Sequence, residues 1–118
     1  MYKYETVINI GDREVPLRFS FMTMRHLEQM GVKITDLQRR VENDYTGILI
    51  DAVIAGAKTV DVDITEDDVI QWVDENGFLS PTVQNVLAMF LESQTNGVPV
   101  SKNVKAVQEK KAPQKKTK

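Results

Sequence analysis

The run at residues 45–57, YTGILIDAVIAGA, limits the fold more than any other stretch of this chain. Tyr45, Ile48, Leu49, Ala52, Val53 and Gly56 recur at helical spacing on one face, and Ile50, Ile54 and Ala57 widen that face until little but Thr46 and Asp51 stays polar. A helix that is apolar nearly all round is a buried one. Its 13 residues fall short of the roughly 20 needed to cross a bilayer, so the burial is inside a protein and the rest of the chain must be laid around it. Asp44 is placed to cap its N-terminus, and Gly47 and Gly56 leave room for a neighbouring backbone to come close. Asp51 is the one charge on the helix. An unpaired buried carboxylate is costly, so it sits at the rim or pairs with an arginine such as Arg18 or Arg25.

What precedes this helix reads first as β and then as α. Residues 2–10 are rich in β-formers (Tyr2, Tyr4, Thr6, Val7, Ile8, Ile10), and Val15, Leu17 and Phe19 alternate with Pro16, Arg18 and Ser20. The polar run at residues 11–14 predicts a hairpin loop of about four residues, and Pro16, which cannot donate to a ladder, places the start of the second strand at an edge. A lone hairpin is barely stable in water, so helices must cover its apolar face. From Phe21 the period becomes helical, with Phe21, Met24, Leu27 and Met30 predicted to form the buried stripe and Gly31 the C-cap. A short helix follows, with Thr35 as N-cap, Gln38 completing a capping box, and Ile34, Leu37 and Val41 facing in.

Beyond the central helix, residues 59–64 read as a connector. Thr65 followed by Glu66, Asp67 and Asp68 is a helix start, the carboxylates lying at the positive end of the helix dipole. Val69, Ile70, Trp72 and Val73 form that helix's buried side, and Asn76 and Gly77 end it. Ser80 and Pro81 open a last helix, whose stripe of Val83, Val86, Leu87, Phe90 and Leu91 is the cleanest in the sequence. The expected fold is a small α+β domain over residues 1–97, an antiparallel β-hairpin packed on about five α-helices. Residues 98–118 read as a disordered, lysine-rich tail.

Charge divides the chain in the same place. Residues 102–118 hold seven lysines against Glu109 alone, a net of +6, while the whole chain carries −2 and its body therefore −8. An acidic body argues against a nucleic-acid-binding surface; contact with phosphates is expected only weakly and through the tail. Val100, Val104 and Val107 fall at i, i+4 and i+7, a spacing that can become a helix on a partner. The chain has no cysteine, which removes disulfides and thiolate metal sites. With no leader-like or membrane-spanning stretch, a soluble intracellular protein is expected.

Motifs for catalysis are not found. His26 is the only histidine and has no adjacent nucleophile or orienting group in the sequence. The acidic residues 61–68 fail the calcium-loop pattern, which needs glycine at the sixth position and glutamate at the twelfth where Glu66 and Trp72 stand. Binding is the better reading. Met22, Met24 and Met30 crowd one short helix, and methionine is over-used on surfaces that accept irregular apolar partners. With Val83, Val86 and Phe90 on the last helix, and Val100, Val104 and Val107 in the tail, they are the candidate partner-binding residues. The groove they suggest lies between the first and last helices.

Taken in order, these parts resemble the tail assembly chaperones of long-tailed bacteriophages and prophages. The resemblance covers roughly residues 4–92. It rests on the Gly11-Asp12-Arg13-Glu14 turn, the VPLRFSF run at residues 15–21, Leu27-Glu28 before the Gly31 break, Ala55-Gly56 in the apolar helix, the ITEDD start at residues 64–68 with Trp72, and a final amphipathic helix. It implies a non-enzymatic protein without cofactors, found in the bacterial host cytoplasm and absent from the mature virion. Such a protein holds the long, apolar-striped tape measure protein soluble and helps recruit tail tube protein; a long repetitive client would make a homo-oligomer useful for avidity. The alternative is a small adaptor or regulatory protein of a mobile element that acts through its basic tail.

Overall fold

Ile8 and Ile10 on one strand and Val15, Leu17 and Phe19 on and just after its partner turn to the same side and are almost fully buried. They belong to an antiparallel hairpin of β1 (Glu5–Ile10) and β2 (Arg13–Arg18) in the computed structural model, which describes residues 3–95. The register pairs Ile10 with Arg13, so the loop is two residues rather than four. Gly11 supplies the positive φ (61°) that a type II′ turn asks of its first central residue, and the polar Arg13 and Glu14 lie on the ladder with their side chains in solvent. The Phe19 N–H donates to the Tyr4 carbonyl at 2.9 Å, which fixes the phase of the ladder. Thr6, Ile8 and Ile10 exchange main-chain bonds with β2, while Glu5, Val7 and Asn9 turn theirs away. Pro16 stands opposite Val7, a position whose N–H would face outward, so no ladder bond is lost.

Five helices cover this hairpin among the described residues: α1 (Phe21–Gln29), α2 (Leu37–Asn43), α3 (Tyr45–Thr59), α4 (Glu66–Asn76) and α5 (Pro81–Thr95), with a 3₁₀ turn (Ile34–Asp36) leading into α2. As its sequence requires, α3 is the centre. It packs on β2, α1, α2, α4 and α5, with Ile48, Val53, Ala55 and Ala57 wholly buried. Its two glycines admit side chains rather than backbone. The ring of Phe19 lies over Gly56, and at Gly47 the space is filled by the Asp44 carboxylate and the Arg40 guanidinium. Asp44 makes no side-chain cap to α3, because the guanidinium at 2.7 Å is the stronger, charge-assisted donor. Arg40 also reaches Asp51 at 2.8 Å, so the charge on the central helix is paired by α2, not by Arg18 or Arg25. Arg18 bridges across the hairpin to Glu5 at 2.6 Å, and Arg25 stays on its own helix beside Glu28. The Asp51 hydrogen bond is the main cause that raises Arg40 above the ordinary arginine pKa.

Capping decides the other boundaries. Thr65 accepts the Asp68 N–H at 3.1 Å while Asp68 accepts the Thr65 N–H at 2.9 Å, a reciprocal box at the start of α4. Ser20 and Thr23 form a second such box at α1. The Thr23 side chain is buried: its hydroxyl donates to the Arg18 carbonyl at 3.0 Å, accepts the Ser20 N–H at 2.9 Å, and lies 2.9 Å from the Thr59 hydroxyl of α3. That polar knot joins β2, α1 and α3. The box predicted at Thr35 and Gln38 does not form, because the chain enters α2 through the 3₁₀ turn and Gln38 bonds Glu42 instead.

The hairpin turn is tied to α4 by one bond. The Gly11 N–H donates to Glu75 Oε1 at 2.9 Å, and Gln71 donates to the same carboxylate. These two bonds, Gln71 first, hold Glu75 below its ordinary pKa. A depressed carboxylate contributes stability that is complete above its unfolded pKa, near 4.5, and is lost as pH falls through the lower folded value. Glu75→Gln is therefore expected to lower the melting temperature at pH 7, and the gap to the wild type is expected to shrink at about pH 3. A gap that stays constant with pH would show that the carboxylate charge plays no part.

Candidate partner-binding groove

Ile34 and, three and seven residues later, Leu37 and Val41 line one side of the 3₁₀ turn and α2 and are only half-buried. They form one wall of an open cleft of about 630 Å³. Phe21 and Met24 on α1 make the facing wall, and Leu91 closes the end from α5. Polar groups stand among them: Arg25 and Glu28 on α1, Thr35 and Gln38 on the α2 side, Gln94 and Thr95 at the end of α5. Gln94 is held in place, its amide donating to the Ser20 carbonyl at 3.2 Å and to the Ser93 hydroxyl at 2.8 Å. An apolar trough with a polar rim suits the apolar side of an amphipathic segment.

Phe21 is the exposed feature of this trough, 76% accessible where a core position was expected. Spacing of three residues is shorter than a helical turn of 3.6, so a stripe built from it drifts around the helix. Phe21 and Met30, nine apart, come out on opposite sides. Met24 and Leu27 between them are the pair that is buried.

Of the residues singled out from the sequence, Met24 lines the cleft. Met22 and Met30 are exposed, 53% and 37%, but neither lines it. Val83, Val86 and Phe90 are core residues, 0%, 6% and 0% exposed, because the stripe of α5 faces inward, with Phe90 edge-on to Phe19 at 5.7 Å. Val83 and Phe90 present no surface to a partner, and Val86 reaches only the edge of a separate cleft beside β1. Val100, Val104 and Val107 lie outside the described residues. Phe21 and Leu91, expected in the core, line the trough, and Ile34, Leu37 and Val41, expected to face in, are only half-buried. Their signal was present in the apolar i, i+3, i+7 pattern, but that pattern does not say how completely a face is covered.

His26 Nδ1 lies 3.4 Å from Gln29 Oε1 on the exposed side of α1. Among the described residues no cluster of three or more His, Cys, Asp or Glu is arranged to hold a metal ion, and no helix is long and apolar enough to cross a membrane. Comparison with known proteins gives no match to a protein family, to a curated protein or to a solved structure.

Proposed function

We propose that this protein binds an apolar-striped helix of a larger client without turnover, and that it serves as a tail assembly chaperone of a long-tailed bacteriophage or prophage, with the tape measure protein as client. The observation that carries the binding mode is the trough between α1, α2 and the end of α5, with Phe21 standing 76% exposed on its wall. An amphipathic helix presents its anchors at i, i+3, i+4 and i+7, and the wall of Ile34, Leu37 and Val41 repeats at matching intervals. The choice of client rests on the resemblance in the order of parts over residues 4–92. On the same reading the protein works in the bacterial cytoplasm, helps to bring tail tube protein to the client, and leaves before the virion is complete. A long repetitive client would engage many copies, and self-association would raise avidity without new contacts.

The test is co-expression with a tape measure protein of a long-tailed bacteriophage and a binding measurement on two variants. Phe21→Glu is expected to weaken binding by about 30-fold or more, as loss of an aromatic anchor does, while folding stability moves by no more than about 0.5 kcal/mol. Met22→Glu is the control, 53% exposed on the same helix but outside the trough, and is expected to leave binding within about twofold. Equal losses in both variants, or none in Phe21→Glu, would remove the trough from the mechanism. The charge division, +6 on residues 102–118 against −8 on the body, favours a second reading, an adaptor acting through its tail. Deleting residues 98–118 separates the two, since the trough lies wholly outside the deletion.

A further inference from the structure

A second cleft, of about 270 Å³, runs along the side of β1 that β2 leaves open. It touches the consecutive residues 6–9. Successive side chains of a strand point to opposite faces, so a cleft that meets four in a row follows the strand's edge and not a face. That edge is where the main-chain groups of Glu5, Val7 and Asn9 are directed, and Val7 is 55% exposed. The opposite wall is α5, whose Thr82, Asn85, Val86 and Met89 follow one another at i, i+3, i+4 and i+7.

The two edges of the hairpin are treated differently. The outer edge of β2 carries Pro16, which supplies no N–H there and blocks pairing. The outer edge of β1 keeps its donors and acceptors. None of the side chains that line the cleft is charged; Asn9, Asn76, Thr82 and Asn85 supply neutral hydrogen-bonding groups around an apolar floor of Trp72, Val86 and Met89. A main chain in extended conformation matches this lining: it is uncharged and offers an N–H and a C=O at alternate residues to the ladder of β1. On a body of net charge −8, a site with no charge of its own does not select a basic or acidic ligand.

We infer that β1 accepts a third strand, an extended uncharged segment of a partner polypeptide, which lies between β1 and α5 and bonds to the main chain of Glu5, Val7 and Asn9. The site is separate from the trough and does not depend on the client proposed for it.

The experiment uses the full chain and a blocked five-residue peptide of alternating threonine and valine, followed by amide NMR and hydrogen exchange. In the protein alone the Val7 and Asn9 amides are expected to exchange much faster than those of Thr6 and Ile8 at every protein concentration. Adding the peptide at about 1 mM is expected to slow them and shift their resonances, since isolated strand addition by so short a peptide is weak. Val7→Pro removes an outward N–H, as Pro16 already does on the other edge, together with the Val7 side chain at the cleft, and Asn85→Lys puts a charge on the wall from an exposed position. Each is expected to weaken the peptide by about tenfold or more. Should Val7→Pro fail to fold, Asn85→Lys alone decides. The inference is overturned if the amides are already protected at every dilution, which assigns the edge to the chain's own segment, or if protection grows with protein concentration, which assigns it to a second copy. It is equally overturned if the peptide leaves the amides unchanged, or if its effect persists in the folded variants.

Discussion

Trp72→Ala is expected to cost about 3–5 kcal/mol, the loss typical of truncating a large buried aromatic. A domain of this size has a total stability of roughly 5–15 kcal/mol, so the loss takes between about a fifth and all of it. The reason lies in how little else anchors α4. Its buried residues are Val69 and Trp72, both 0% exposed, and in its first turn Glu66 and Asp67 are solvated while Asp68 holds the Thr65 cap and faces Arg13 at 3.6 Å. α4 packs on β1 and α3, its last turn holds the Gly11–Glu75 bond that steadies the hairpin turn, and Trp72 lines the cleft beside β1. Urea unfolding followed by far-UV circular dichroism measures the loss, since the variant has no other tryptophan to report by fluorescence. Trp72→Phe keeps an apolar ring and is expected to retain most of the stability. A loss below about 1 kcal/mol in Trp72→Ala would mean that α4 is held by something other than its core side chain.

Where a structural rule is local, the sequence carried it. The Thr65 capping box, proline at the first position of α5, glycine after α4 and the alternation in β2 each depend on residues within a turn or two, and each stands where expected. The apolar run of α3 carried one long-range fact as well, because a helix without a polar face has nowhere to be but the centre. What was not legible depended on partners far along the chain. Asp51 could have met any arginine, and only the packing of α2 on α3 chooses Arg40. Val83, Val86 and Phe90 showed that one side of α5 is buried, but not whether domain or partner buries it. The trough was the hardest to see. Phe21 looks like core by composition, and its exposure follows from the Ser20 cap, which fixes where the first turn of α1 begins and so which way residue 21 points.

Gly56→Ala is the second large effect, and it runs against helix propensity. In an exposed helix the change would add up to about 1 kcal/mol of stability. Here a Cβ would come within 2.5 Å of Phe19 Cε1 and 3.2 Å of two further ring atoms. The ring has little freedom to give way, being 2% exposed and set edge-on against Phe90 at 69°. Overpacking of this kind costs about 1–3 kcal/mol for a few added atoms, enough to cancel the propensity gain and leave a net loss. Gly56→Leu, which adds three more carbons to the same space, is expected to lose more than about 3 kcal/mol. The assignment to Phe19 is checked by a double-mutant cycle. Phe19→Leu removes the clashing edge of the ring, so the pair Phe19→Leu with Gly56→Ala should lose at least about 1 kcal/mol less than the sum of the two singles. Additivity within about 0.5 kcal/mol would place the strain elsewhere. The consequence reaches the trough, because Phe19 is followed directly by the Ser20 cap and then by Phe21. A ring displaced from Gly56 moves the start of α1, so Gly56→Ala is expected to weaken client binding even under conditions where the variant remains folded, whereas Glu75→Gln, at the far side of the hairpin, should not.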